Sequence, residues 1–153
     1  MQDFDPIEPD GPLSGLRVGA VLVGFIVDNV ATALAGILIY FLILLRVGWN
    51  LEGEIPEEAL ESASDSAEFL VSMAIVGTLC TVLGGYVASR RAARFYVRHG
   101  AFVGIADILL GLVLLAVSPP EPSWLWFDLL GFIVVVPAGA TGGYLAKRRE
   151  RAA

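Results

Sequence analysis

Reactive and metal-binding side chains are scarce in this sequence. Cysteine and histidine occur once each among its 153 residues, as Cys80 and His99. A single cysteine excludes an intramolecular disulfide, and the sequence contains no motif for a structural zinc site. A single histidine excludes haem ligation by paired histidines of one chain. There is also no phosphate-binding glycine loop and no Cys–His pair, so we expect no enzyme activity, no metal site and no cofactor.

Charged side chains are missing from four long stretches. These are residues 18–45 with Asp28 as the one charge, 69–89 with none, 100–118 with Asp107 as the one charge, and 129–146 with none. A helix needs about 20 apolar residues to cross a hydrocarbon core of ~30 Å. The runs do not alternate with period 2, and four strands cannot close a barrel in lipid. Together with a hydrophobic content of 56%, these runs predict an all-α membrane protein, a four-transmembrane-helix bundle.

The predicted organisation is one transmembrane domain, residues 16–149, between an acidic disordered tail (1–15) and a basic C-terminal tail (150–153). Its elements are helices at about 17–46, 66–90, 100–118 and 124–147, with an acidic outer loop at 47–65. The tail "MQDFDPIEPDGPLSG" is acidic, whereas a signal peptide begins with positive charge, and the first apolar run exceeds a signal-peptide core. The first helix is therefore predicted to be a membrane span.

Basic residues indicate the orientation. With four spans, every Lys and Arg except Arg46 falls on the side of the two termini. The positive-inside rule then places both termini in the cytoplasm. The membrane is predicted to be the plasma membrane of the cell. Seven of these residues are predicted to contact anionic lipid headgroups: Arg90, Arg91, Arg94, Arg98, Lys147, Arg148 and Arg149. Because these clusters flank bilayer exits, nucleic-acid binding is not expected, and the predicted partner is the lipid bilayer.

Small and polar residues recur along one face of each predicted helix. They are Ala20, Gly24, Asp28, Thr32 and Gly36; Gly77, Thr81, Gly85 and Ser89; Gly100, Gly104, Asp107 and Gly111; and Gly131, Gly139 and Gly143. Helices in lipid associate through close backbone contact at such residues. A compact bundle is therefore expected. Use of some of these faces in a homo-oligomer or a larger membrane complex stays open.

Pro137 lies inside the fourth predicted helix, in "VVVPAGATGG". Proline removes one helical hydrogen bond and clashes with the preceding turn, so the helix is expected to bend there. The bend is either a hinge or a static kink that improves packing.

Two aspartates lie inside predicted spans, Asp28 near the middle of the first and Asp107 about two turns into the third. An ionised carboxylate at mid-bilayer costs about 2.5–3.5 kcal/mol on insertion scales, so such residues face the protein interior, pair or titrate. In one interpretation they line an ion pathway with Asn29 and Thr32. In the other they form hydrogen bonds that hold the bundle together. The candidate hydrogen-bond partners are Asn29, Thr32, Thr78, Thr81 and Tyr86.

Two pairs of segments resemble each other along the chain. "GGYVASRR" (84–91) is similar to "GGYLAKRR" (142–149), and "VGFIVD" (23–28) is similar to "VGIAD" (103–107). The pattern fits a tandem duplication of a two-helix hairpin, in which helices 1 and 3 run in the same direction. Chance similarity between glycine-rich apolar segments is the alternative.

The segments "GGYVASRRAARFYVRHGAFVGI" and "GGYLAKRR", with four short spans and an acidic N-terminal tail, resemble small uncharacterised prokaryotic four-helix membrane proteins, including domains of unknown function common in haloarchaea. The resemblance covers roughly residues 70–149. It implies a fold and a topology, and it implies no activity and no catalytic residue.

Two functions follow from these features. The main expectation is a membrane protein without catalytic activity that acts as a packing or accessory subunit or as an oligomeric component. The alternative is an oligomeric proton- or cation-conducting transporter or channel that uses Asp28 and Asp107. His99 is predicted to be an interfacial residue without a specific role.

Overall fold

The computed structural model describes residues 15–48, 58, 66–118 and 125–152. Over these residues the chain is an all-α bundle of four long helices. They are α1 (Val18–Gly48), α2 (Ala67–Ala92), α3 (Tyr96–Val117) and α4 (Leu125–Arg151). The predicted helices lie at the same places and differ mainly at their ends, since α3 begins four residues earlier and α4 extends through Arg151. The acidic tail before Gly15 and most of the acidic loop at 47–65 lie outside the described residues.

All four helices are long and apolar enough to cross a membrane. Their outward-facing side chains are apolar as well, as Ile37 (67% exposed), Leu109 and Ile133 illustrate on three different helices. A water-soluble protein rarely exposes apolar surface of this extent, whereas lipid is a suitable solvent for it. The chain is therefore a multi-pass membrane protein.

Local interactions fix the ends of α2 and the start of α3. Ser66 is the N-cap of α2, where its Oγ accepts a hydrogen bond from the Phe69 N–H at 3.1 Å. At the other end Ala93 takes a left-handed conformation (φ 55°), and its N–H donates to the Ser89 carbonyl. Phe95 is also left-handed (φ 48°), so the chain reverses within three residues. This turn places α2 and α3 side by side and antiparallel.

The helices form a four-cornered bundle in which α2 and α3 contact each other across the centre. Each of these two helices also packs against both α1 and α4. Over the described residues α1 and α4 make no contact with each other. Consequently α1 and α4 lie at opposite corners. The hairpin α1–α2 contacts the hairpin α3–α4 through the helix pairs α2–α3, α2–α4 and α1–α3.

Close approach of helix backbones is found in the half of the bundle that holds the basic residues other than Arg46, which we call the basic half, whereas Gly36 and Gly111 of the other half meet the Met73 and Phe132 side chains. A Cβ added at Gly24 would lie 2.5 Å from the Gly84 carbonyl oxygen, and one at Gly104 would lie 2.6 Å from the Val135 oxygen. Gly139 meets Gly85 and Gly100 at similarly short range. Backbone contacts this close hold three helix pairs together, as small residues do in lipid.

The two GGY segments each lie where three helices meet. Gly84 contacts Gly24 of α1, the helix before it, whereas Gly85 contacts α4. In the second GGY segment the two glycines have these roles reversed. Gly142 contacts α2, and Gly143 contacts α3, the helix before it. Each pair of glycines thus packs the two helices of its own hairpin together, and it also packs α2 against α4.

The other half of the bundle, which we call the Trp126 half, is packed loosely. A Cβ at Gly77 would have Thr32 as its nearest neighbour, at 4.0 Å, and one at Gly131 would have no neighbour within 4 Å. Gly131 was predicted to be a packing residue together with Gly139 and Gly143, and that prediction is wrong because its surroundings are open. The helices therefore diverge from the basic half toward the Trp126 half.

Candidate functional site: a carboxyl pair at the base of a cavity

Asp28 lies on the inner face of α1 at the level where the helices begin to diverge. It is 3% exposed, since the backbone of Gly84 on α2 approaches it closely. Its Oδ1 accepts a hydrogen bond from the Thr32 hydroxyl at 3.2 Å, one turn along the same helix. The predicted partner Thr32 thus satisfies one of the two carboxyl oxygens.

Asp107 lies on α3 and meets α1 through Asn29. The Asn29 side-chain amide donates to Asp107 Oδ1 at 3.0 Å and to the Phe25 carbonyl, one turn earlier on α1, at 2.9 Å. The two donor hydrogens of this amide are thereby both used. Asn29 is therefore the polar bridge between the parallel helices α1 and α3.

The carboxyl groups of Asp28 and Asp107 are neighbours, so that each acts electrostatically on the other. The Oδ2 atoms of both residues are buried and have no hydrogen-bond partner. No described Lys, Arg or His side chain forms an ion pair with either carboxyl group. Since adjacent carboxylates repel each other strongly in an apolar setting, the geometry suits a pair that shares a proton or holds a cation.

A cavity of about 600 Å³ lies beside this pair, between α2, α3 and α4. Asp107 and Thr81 contribute to its wall at mid-membrane, and Trp126 and Ser118 contribute at the opposite end. Every residue that lines it belongs to the Trp126 half or to the level of the aspartates. The cavity is thus the space between the diverging helices. It ends where the short glycine contacts of the basic half begin.

Three of the predicted hydrogen-bond partners bind other groups. The Thr78 hydroxyl donates to the Ala74 carbonyl at 2.7 Å, and the Thr81 hydroxyl donates to the Gly77 carbonyl at 3.1 Å. The Tyr86 hydroxyl accepts from Arg149 at 3.3 Å. The prediction was therefore right for Asn29 and Thr32 and wrong for Thr78, Thr81 and Tyr86.

Pro137 lies at the boundary between the two halves of the bundle. Val135, two residues before Pro137, lines the cavity. Ala138, directly after Pro137, is buried. Its carbonyl accepts a hydrogen bond from the Thr141 hydroxyl at 2.8 Å. A bend at Pro137 would move the part of α4 that lines the cavity relative to the part that packs in the basic half, and this position is compatible with either a hinge or a static kink.

The predicted headgroup contacts lie at the basic end of the bundle and are exposed. They are Arg90, Arg91, Arg94, Arg98, Lys147, Arg148 and Arg149. Two of them enclose the Phe95 ring, with the Arg94 and Arg98 guanidinium carbons at 5.4 Å and 5.3 Å from its centroid. These distances fit cation–π contacts, which stabilise the α2–α3 turn.

His99 is the one polar residue whose environment the sequence interpretation missed. It is 0% exposed and has hydrogen-bond partners, so the prediction that it has no specific role is wrong. The Arg17 backbone N–H donates to His99 Nε2 at 2.9 Å, and Nδ1 lies 3.1 Å from the Phe95 carbonyl oxygen. Nε2 must then be unprotonated, so the ring is neutral with its hydrogen on Nδ1. The signal available in the sequence was its position directly before Gly100, in a packed helix.

Metal binding by clustered side chains finds no support in the described part of the chain, where no three His, Cys, Asp or Glu residues come together. Cys80 is a buried free thiol on α2. Neither the family models, the curated proteins nor the solved structures include a match to this chain. The carboxyl pair and its cavity are therefore the features of the molecule that bear on its function.

Proposed function

We propose that the protein is a transporter of protons or small cations that resides in the plasma membrane of a prokaryotic cell, with both termini in the cytoplasm. The Asp28–Asp107 pair is its binding site. The observation that carries this proposal is that two helices bring carboxyl groups together while both Oδ2 atoms stay without another partner. A pair that served packing alone would be expected to use its full hydrogen-bonding capacity.

Among the described residues, the cavity approaches the pair from the Trp126 half. The cavity leads from the Trp126 half to Asp107, and the glycine contacts close the basic half. By the positive-inside rule, the Trp126 half faces away from the cytoplasm. A proton or cation taken up there would reach the cytoplasm only after the basic half opens. We propose that a bend at Pro137 of α4 allows this exchange, as in alternating access.

A packing or accessory role is the second candidate, and the Asn29 bridge favours it. Asn29 joins α1 to α3 with full use of its donor hydrogens, and the close glycine contacts account for the stability of the basic half. In that role the chain is a non-catalytic subunit of a homo-oligomer or of a larger membrane complex. The carboxyl groups then contribute stability and no flux.

Proton flux into proteoliposomes separates the two candidates. The vesicles contain a pH-sensitive dye, and a potassium diffusion potential drives proton entry through the purified protein. We expect flux through the wild type and its loss in Asp28→Asn and Asp107→Asn, while Glu68→Gln, an exposed carboxylate at the start of α2, retains it. Absence of proton flux in the wild type would exclude proton transport, and flux that survives both Asn substitutions would contradict the use of the carboxyl pair.

A further inference from the structure

The cavity beside Asp107 has an apolar body. Most of its wall consists of aliphatic and aromatic side chains, among them Met73, Leu114, Trp126, Phe127 and Phe132. Its volume of about 600 Å³ falls in the range of small-molecule sites, which lies at about 300–1,000 Å³. A proton or a hydrated metal ion needs no apolar space of this size. The cavity therefore suits a ligand with a substantial apolar part.

Apart from the proton that Asp28 and Asp107 share, the polar part of the wall at mid-membrane offers only hydrogen-bond acceptors. The hydroxyl hydrogens of Thr78 and Thr81 are donated to carbonyls of their own helix. Their oxygens, like the Asp107 carboxylate, are then left as acceptors. This acceptor wall, formed by Thr78, Thr81 and Asp107, suits a ligand that brings N–H donors.

The charge of the wall is complementary to a cation. Among the described side chains that line the cavity, Asp107 is the one that carries a charge, and none is Lys, Arg or His. Aromatic rings at the far end, of which Trp126 is the largest, also interact favourably with positive charge. The titratable group that acts on Asp107 is Asp28 of α1; the neutral Asn29 donates to it.

We infer that this cavity binds a protonated lipophilic amine, with its ammonium group at the acceptor wall and its apolar body among the aromatic side chains. The inference rests on the proposed function, because it names an organic cation as the ligand of the same carboxyl pair. A monovalent amine that displaces the proton shared by Asp28 and Asp107 leaves the net charge of the site unchanged. Binding of each ammonium ion thus releases about one proton to solvent.

Calorimetric titration of the purified full-length protein in detergent tests this inference with three matched probes. They are 4-phenylbutylamine, its N,N,N-trimethyl derivative and 4-phenylbutanol. We expect the amine to bind most tightly, because the trimethyl compound lacks N–H donors and the alcohol lacks charge. In buffers that differ in ionisation enthalpy, the amine should release about one proton per molecule bound, and its affinity should fall as the pH is lowered.

Two variants locate the binding site. Asp107→Asn should weaken amine binding about tenfold to a hundredfold, which corresponds to one charge-assisted hydrogen bond, and should abolish proton release. Gly131→Leu should abolish binding by filling the cavity, since Gly131 lines it and has open space at its Cβ position. Gly19→Leu is the matched control. Gly19 also has open space at this position, lies outside the cavity, and should leave binding unchanged.

Several results would overturn the inference. Equal affinity for the alcohol and the amine would identify the cavity as a site for lipid acyl chains. Amine binding that persists in Gly131→Leu would place the ligand elsewhere.

If proteoliposomes conduct protons through the carboxyl pair but the amine does not bind, this inference fails and the proposed function stands. If the amine binds with proton release but no flux occurs, the site exists and transport is wrong.

Discussion

Asn29 on α1 donates a 3.0 Å hydrogen bond to the Asp107 carboxyl group on α3, two helices that run in the same direction. The same amide is held by the Phe25 carbonyl of its own helix. This hydrogen bond joins α1 to α3 at the level of the carboxyl pair, so Asn29 helps to hold Asp107 beside Asp28. The carboxyl pair thus depends on a neutral neighbour that neither gains nor loses a proton.

Removal of this bridge should lower stability by a small and measurable amount. In Asn29→Ala the lost hydrogen bond costs about 0.6 kcal/mol, and at most ~1.7 kcal/mol, as for side-chain bonds between membrane helices. Asn29→Asp should cost more, because it replaces the donor with a third carboxyl group beside two others. Thermal unfolding in detergent measures both variants. Equal stability of Asn29→Asp and the wild type would show that the bridge is not formed.

Glycine substitutions on α4 should distinguish the two halves of the bundle. Gly139→Ala places a methyl group against the backbone of Gly100 and should cost about 1–3 kcal/mol, as overpacking does. Gly131→Ala, eight residues earlier on the same helix, meets open space and should leave stability unchanged or raise it slightly. Unfolding in a denaturing detergent series compares the variants. A similar loss of stability in both variants would contradict a bundle that is tightly packed at Gly139 and open at Gly131.

His99 should anchor the residues that precede α1. In His99→Leu the Arg17 N–H loses its acceptor at a part-buried contact, and the lost hydrogen bond should cost about 0.5–1.5 kcal/mol. Hydrogen exchange at the Arg17 amide should accelerate in this variant, and Tyr144→Leu at an exposed position should not change it. Unchanged protection of Arg17 in His99→Leu would mean that this contact is not formed.

Much of the fold could be predicted because lipid imposes a simple requirement on sequence. A span must hide its backbone in a helix and carry few charges, so Asp28 and Asp107 were conspicuous and the four helices could be placed to within a few residues. Asn29 and Thr32 were also predictable as partners. They lie one and four residues from Asp28, and one of the two binds Asp28 itself.

The cavity and the role of His99 could not be predicted, because both depend on how the helices meet. Gly77 and Gly131 continue the glycine spacing of their helices, yet the bundle is already open where they lie. Thr78 and Thr81 face the cavity but bond their own helices. Sequence spacing identifies a face of a helix and does not reveal which part of that face has a neighbour.

The measurement that tests the central claim most directly is infrared spectroscopy of the carboxyl groups in a detergent without ester carbonyls. The account predicts a protonated carboxyl band at neutral pH that shifts in deuterated water, disappears as the pH is raised, and is missing from Asp28→Asn/Asp107→Asn. A wild-type spectrum without this band at neutral pH, or a band that persists in the double variant, would contradict a proton shared by Asp28 and Asp107.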